Sequence, residues 1–137
     1  MMSSQVRTDE SAGLVVLQSP YPFADTVQRL LAALADHGIK VFATIDQRAE
    51  ALAVGLSMPP ATLILFGNPK AGTPVMLANL SSGIDLPLKV WVTEPSSGSV
   101  EVVMNTSAYV IKRHALPEAL LANLAPAERL IAATLHG

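Results

Sequence analysis

Cysteine is absent from the 137-residue chain, and with it go disulfides, thiolate metal sites, iron–sulfur clusters and thiol nucleophiles. Charge is scarce: 15% of residues are Asp, Glu, Lys or Arg, and the net charge is −2. Nowhere do Lys and Arg form a basic run, which is the footprint that a phosphate backbone requires. Aromatics are few as well, at 3 Phe, 2 Tyr and 1 Trp, so base stacking has few platforms and nucleic acid is not an expected partner. No apolar stretch approaches the roughly 20 residues that span a bilayer. Residues Met1 to Glu10 are polar and lack the apolar segment of a secretory signal. The expectations are therefore a cytoplasmic location and no membrane partner.

What is present is apolar and aliphatic. Half of the residues are hydrophobic, enough to offset the conformational entropy lost on folding, with a core resting on Leu, Val, Ile and Ala. The length suits one domain. Residues 1–12 show no period and are expected to be a disordered tail, leaving 13–137 as a single α+β domain.

Local patterns give the element order. Leu14 to Leu17 is a short β-branched run stopped by Pro20 and Pro22, which predicts a first strand. Phe23, Val27, Leu30, Leu31 and Leu34 recur at helical spacing, with Asp25 in the first turn and Gly38 at the stop. Lys40 to Ile45 predicts a second strand, and Asp46 a cap for a short helix closed by Gly55. Ala61 to Phe66 is apolar throughout, as in a central strand covered on both faces. Gly67 to Gly72 has loop composition, and Thr73-Pro74 suits the start of a short helix through about Leu80. Leu88, Val90 and Val92 alternate with Lys89, Trp91 and Thr93, and Val100, Val102 and Met104 follow the turn Pro95 to Gly98, which predicts an antiparallel hairpin. Ser107 caps a helix through His114, Pro117 opens another through Leu124, and Pro126 a third through Leu135. The fold expected is a mixed, largely antiparallel open sheet of about five strands, with helices mainly on one face.

Five segments together carry a resemblance: Asp25 to Leu30, Ile45-Asp46, Phe66-Gly67-Asn68-Pro69, Leu86-Pro87-Leu88-Lys89-Val90 and Arg113-His114. Over about Gly13 to Leu116 the chain resembles the domain of unknown function 302 family. The resemblance implies a compact α+β domain rich in β-α-β, commonly a homodimer, with no established reaction or cofactor. Two positions depart from the family pattern: Gln47 stands where members often carry His, and Pro22 where they often carry a polar cap.

The segment Gly67 to Thr73 is the strongest candidate site. Its glycines permit close approach of backbone N–H groups, and Lys70 and Thr73 could meet a carboxylate or phosphate that Asn68 orients. It matches neither the P-loop nor the dinucleotide fingerprint, and a plain rigid turn would use the same residues. Lys89 interrupts an apolar strand and shares a face with Trp91, which makes either a solvated lysine or a pocket with a cation and an aromatic wall. His114 follows Lys112-Arg113 at a helix end, where the macrodipole alone favours cations. As a general base it would need an orienting carboxylate, for which Asp46, Asp85 and Glu94 are candidates. No spacing of His, Asp and Glu matches a metal site, and no cofactor is expected. Three functions are thus open. The first is a homodimeric module binding a small anionic or amphipathic metabolite through Asn68, Lys70, Thr73, Lys89, Trp91 and His114. The second is an interaction homodimer without ligand, and the third a Lys- or His-dependent enzyme.

Overall fold

The computed structural model describes residues 6–9 and 12–136. Six strands form one open sheet in the order β1-β2-β6-β5-β4-β3, every neighbouring pair antiparallel. The strands are β1 (Val6–Asp9), β2 (Leu14–Ser19), β3 (Lys40–Asp46), β4 (Ala61–Gly67), β5 (Leu88–Ser96) and β6 (Ser99–Asn105). The helices are α1 (Phe23–Asp36), α2 (Gln47–Ala53), α3 (Pro69–Ala78), α4 (Ser107–Arg113) and α5 (Leu121–Thr134), with 3₁₀ turns at Leu80–Asp85 and Glu118–Leu120. Six strands replace the expected five or so, because Val6–Asp9 pairs with Leu14–Leu17 in a stretch to which the polar sequence assigned no structure. Residues 1–5, 10 and 11 of the expected tail lie outside the described residues.

Strand alternation sends one set of side chains to a common core. Val15 and Leu17, Ile64 and Phe66, Val90 and Val92, and Val100 and Val102 are buried against Val27, Leu30 and Leu34 of α1, Ile131 of α5 and Leu135 at its end. The helix layer covers this side, as the alternation of β5 and β6 predicts. The Ala61–Gly67 strand is not central, however, but one in from the β3 edge. Its unbroken apolar character reflects Leu63 and Leu65 on the other face, where both remain partly exposed. A smaller cluster of Val75, Val110, Ile111, Leu116 and Leu124 joins α3, α4 and α5 at one end.

Helix ends follow local chemistry. At the end of α1 the Gly38 amide donates to the Ala35 carbonyl and the Ile39 amide to that of Leu34, the pair of bonds that a left-handed residue after the cap permits. The same pair closes α2 after Gly55 and α4 after Ala115. Ala115 holds φ of 51°, a conformation that costs a Cβ-bearing residue about 1–2 kcal/mol. Three boundaries differ from the sequence pattern. Thr106, not Ser107, caps α4, its hydroxyl accepting from the Tyr109 amide at 3.2 Å. α3 begins at Pro69 rather than Thr73. Pro126 lies inside α5 rather than opening a separate helix; at the sixth position it forfeits only the bond to the Ala122 carbonyl.

Gly13 joins the start of β2 to the end of the neighbouring β6. Its carbonyl accepts from the Thr106 amide at 2.8 Å and from the Asn105 side chain at 3.3 Å. Its φ is +71°, and a Cβ there would stand 2.1 Å from the Tyr109 ring. Gly13→Ala is expected to cost about 2–4 kcal/mol from strain and overpacking, seen as a lower urea midpoint. Ala115→Gly, where the backbone favours glycine, is expected to raise stability by about 0.5–1 kcal/mol in the same assay.

Candidate functional site

Asn68 ends β4 and begins α3. Its side-chain oxygen accepts from the Lys70 amide at 3.0 Å, and its carbonyl accepts from the amides of Ala71 at 2.9 Å and Gly72 at 2.8 Å. Pro69 carries no N–H. The segment expected to be a loop with free amides is therefore the first turn of a helix whose amides are already bonded. Gly72 lies within α3 and needs no special backbone; a Cβ there would meet only Leu86 Cδ1, at 4.0 Å. What this turn presents outward is side chains: Lys70 and Thr73 are both exposed.

These side chains stand at the rim of a groove of about 800 Å³ between α3 and α5, over the neighbouring ends of β3, β4 and β5. The volume lies within the range of about 300–1,000 Å³ typical of small-molecule sites. Apolar residues from several elements line it: Ile39 after α1, Phe42 of β3, Met76 of α3, Leu86 and Leu88 before and in β5, and Leu130 of α5. Asn68, Lys70, Thr73, Asn123 and His37 supply the polar lining. Asn123 ties the walls together, its side-chain N–H donating to the Ala71 carbonyl at 2.9 Å. His37 Nδ1 lies 2.9 Å from the Ala33 carbonyl, which fixes the ring at the end of α1. Phe42 is 45% exposed, and the Lys40 ammonium lies 5.0 Å from its ring centre, so a second cation stands beside the groove. The groove is an apolar trough with a cationic and amide rim.

The structure brings Asn68, Lys70 and Thr73 to this trough and places Lys89, Trp91 and His114 elsewhere. Trp91 pairs with Leu63 and Val103 on the sheet face opposite α1 and α5. Lys89 shares that face, its ammonium donating to the Pro87 carbonyl at 3.4 Å. His37, Phe42, Met76 and Asn123 were not singled out from sequence. They come from four separate segments, and no local motif announces them; Phe42 sits at an irregularity of register between Val41 and Ala43 that its sequence does not mark.

His114 caps the end of α4 and is 8% exposed. Of the three carboxylates considered, Asp85 is its partner: His114 Nε2 lies 2.5 Å from Asp85 Oδ2. Asp85 also accepts from Arg113 Nη1 at 3.1 and 3.2 Å, and the His114 carbonyl accepts from the Asn79 side chain at 2.9 Å. These bonds fasten the Leu80–Asp85 turn to α4 over the smaller core, which is a structural task. His114→Ala and Asp85→Ala are each expected to lower stability by about 1–3 kcal/mol. The double variant should fall short of the sum by about 0.5 kcal/mol or more, as coupled partners do, in urea titrations of all four proteins.

An open antiparallel α+β sheet, one face under helices and a groove where the helix layer parts, is the class this molecule defines. A family model described as domain of unknown function DUF302 matches residues 15–134, and the chain belongs to the DUF302 family. A crystal structure of an uncharacterised conserved DUF302 protein from Bacillus stearothermophilus has the same fold, with a TM-score of 0.76 at 22% identity over 90% of this chain and 95% of that one. Among curated proteins, the chain is 38% identical over 105 residues to one named fluoride-specific ion channel FluC 1 from Brucella suis and to another of that name from Brucella abortus. The match covers 77% of this chain but 41% and 39% of those proteins, so the chain spans about two fifths of the length of the curated relatives it matches. Among the described residues no helix is long and apolar enough to cross a membrane.

Proposed function

We propose that this domain is a cytoplasmic binding module for a small amphipathic molecule with an anionic head. The groove carries the reading. Its apolar trough suits a hydrocarbon body, and Lys70, Thr73 and the nearby Lys40 suit a carboxylate or phosphate at the exposed end. Because the amides of the first turn of α3 are engaged by Asn68, the head group is read by side chains, and most of the affinity comes from the apolar body. The likeness to part of two proteins named as fluoride channels fits the same reading: the segment they share with this chain is a domain joined to their remaining length, as a ligand-binding module would be.

Titration calorimetry with dodecanoate and with dodecanol tests this. Saturable binding of both is expected, with dodecanoate the tighter. Lys70→Gln should weaken dodecanoate by about tenfold, the worth of one charge-assisted contact, and leave dodecanol unchanged. Gly72→Leu, which fills the trough from a helical position, should abolish both without lowering the melting temperature. Absence of saturable binding of either compound to the parent protein would overturn the reading.

A further inference from the structure

The turn that follows α3 holds its apolar side chains outward. Leu77, Leu80 and Ile84 are 73%, 77% and 72% exposed, although Val75 and Ser82 beside them are fully buried. Three fastenings fix the backbone in that sense. The Ser82 hydroxyl donates to the Val75 carbonyl at 3.3 Å, the Asn79 side chain to the His114 carbonyl at 2.9 Å, and Arg113 Nη1 to Asp85 at 3.1 and 3.2 Å. With Asn79, Ser82 and Asp85 tied down, Leu80 and Ile84 cannot turn inward without breaking one of these bonds. Their exposure is set by the fold and is not the slack of a loose end.

The same fastenings bring cations to the patch. Lys112 and Arg113 end α4 beside the contacts of Asn79 and Asp85, and both are exposed. On α3, Lys70, Thr73 and Leu77 follow one another at helical spacing and are all exposed, so they form one stripe. From Pro69 to Leu88 and from Thr106 to Leu116 the sequence holds one acid, Asp85, and Asp85 is engaged by Arg113 and His114. Lys70 and Lys112 have no acidic partner among the described residues. The patch is apolar with a rim of one sign.

We infer that this turn docks the domain on an anionic lipid surface, with Leu77, Leu80 and Ile84 entering the interface and Lys70, Lys112 and Arg113 meeting the head groups. The sign of the rim selects the occupant. A second copy laid on the patch would set cation against cation, which opposes association. Protein contacts draw most of their affinity from aromatic and arginine anchors seated in pockets, with leucine under-represented, whereas here aliphatic side chains stand clear of the surface. Attachment of this kind uses the side chains of a short turn and no spanning helix, and it replaces the expectation of no membrane partner. Thr73 and Met76, one turn before Leu77 and Leu80, line the groove, so docking turns the rim of the groove toward the lipid. The inference rests on the patch itself and stands whether or not the groove binds a ligand.

Cosedimentation of the full chain with lipid vesicles provides the test. Binding is expected to vesicles of equal parts phosphatidylglycerol and phosphatidylcholine. It should fall by at least about fivefold with phosphatidylcholine alone, and likewise for Lys112→Glu on the mixed vesicles, the worth of one cation near a charged surface. Leu80→Ser combined with Ile84→Ser should weaken it by at least about tenfold through lost apolar burial, with the melting temperature unchanged because both side chains are already exposed. Val54→Ser is the control. Val54 is 72% exposed but ends α2, at the opposite end of β3 and β4 from α3, and its replacement should leave binding as it is. A protein that stays in the supernatant with the mixed vesicles overturns the inference. So does binding that survives the paired serine substitutions or Lys112→Glu undiminished, or that Val54→Ser weakens as much, because it would use another surface.

Discussion

Helices cover one face of the sheet, and the other features of the molecule depend on that asymmetry. Leu30, Leu34, Ile64, Val90, Val92, Val102 and Ile131 are fully buried between the sheet and the layer made by α1 and α5. Burying side chains of this size is the dominant favourable term in folding, so the positions of α1 and α5 follow from it. Where α5 meets α3 instead of α1, the layer parts, and the ends of three strands lie open beneath the gap. The groove is thus a consequence of how two helices share one sheet, and its lining is the margin of the core.

The polar residues around the groove support it before they offer anything to a ligand. Asn68 binds the first turn of α3, Asn123 holds α5 to the Ala71 carbonyl, and the His37 ring rests on its own helix. Lys70 and Thr73 differ, for both project from that turn into solvent at the rim. The same division separates His114 from the groove. Its bond to Asp85, reinforced by Arg113, closes a turn over the smaller core, and neither residue lines the groove.

Much of the fold was legible in the sequence because its signals are local. The alternation of Leu88 to Thr93 against Val100 to Met104 gave the hairpin, and the spacing of Val27, Leu30 and Leu34 gave α1 with its Gly38 stop. Legibility failed where composition and structure diverge. The Gly67–Gly72 stretch has the residues of a loop, yet Asn68 and Pro69 start a helix within it, and one side-chain cap outweighs two unfavourable residues. Pro126 likewise marked a helix start that tertiary packing on α1 and α4 carried straight through. For the candidate site, Asn68, Lys70 and Thr73 were visible as a cluster in one segment. Their apolar counterparts were not, since Ile39, Met76, Leu88 and Leu130 are indistinguishable from core residues until four separate segments are placed side by side. Lys89 and Trp91 were grouped correctly with each other, by strand alternation, and only their distance from the α3 turn needed the structure.

The bond from Asn105 to Gly13 spans 92 positions of the chain, and β2 has no partner in the sheet interior until β6 arrives to pair with it. On a ribosome, β2 would emerge with only β1 beside it and wait for nearly the whole remaining polypeptide before its other edge could close. A pairing this distant closes slowly and leaves a strand edge exposed on the way. The helix α1, which follows β2 directly, can shelter one side of that waiting strand through Val27 and Leu30, but not its free edge. Nascent chains halted before residue 99 should therefore depend on chaperones in a way that the finished protein does not.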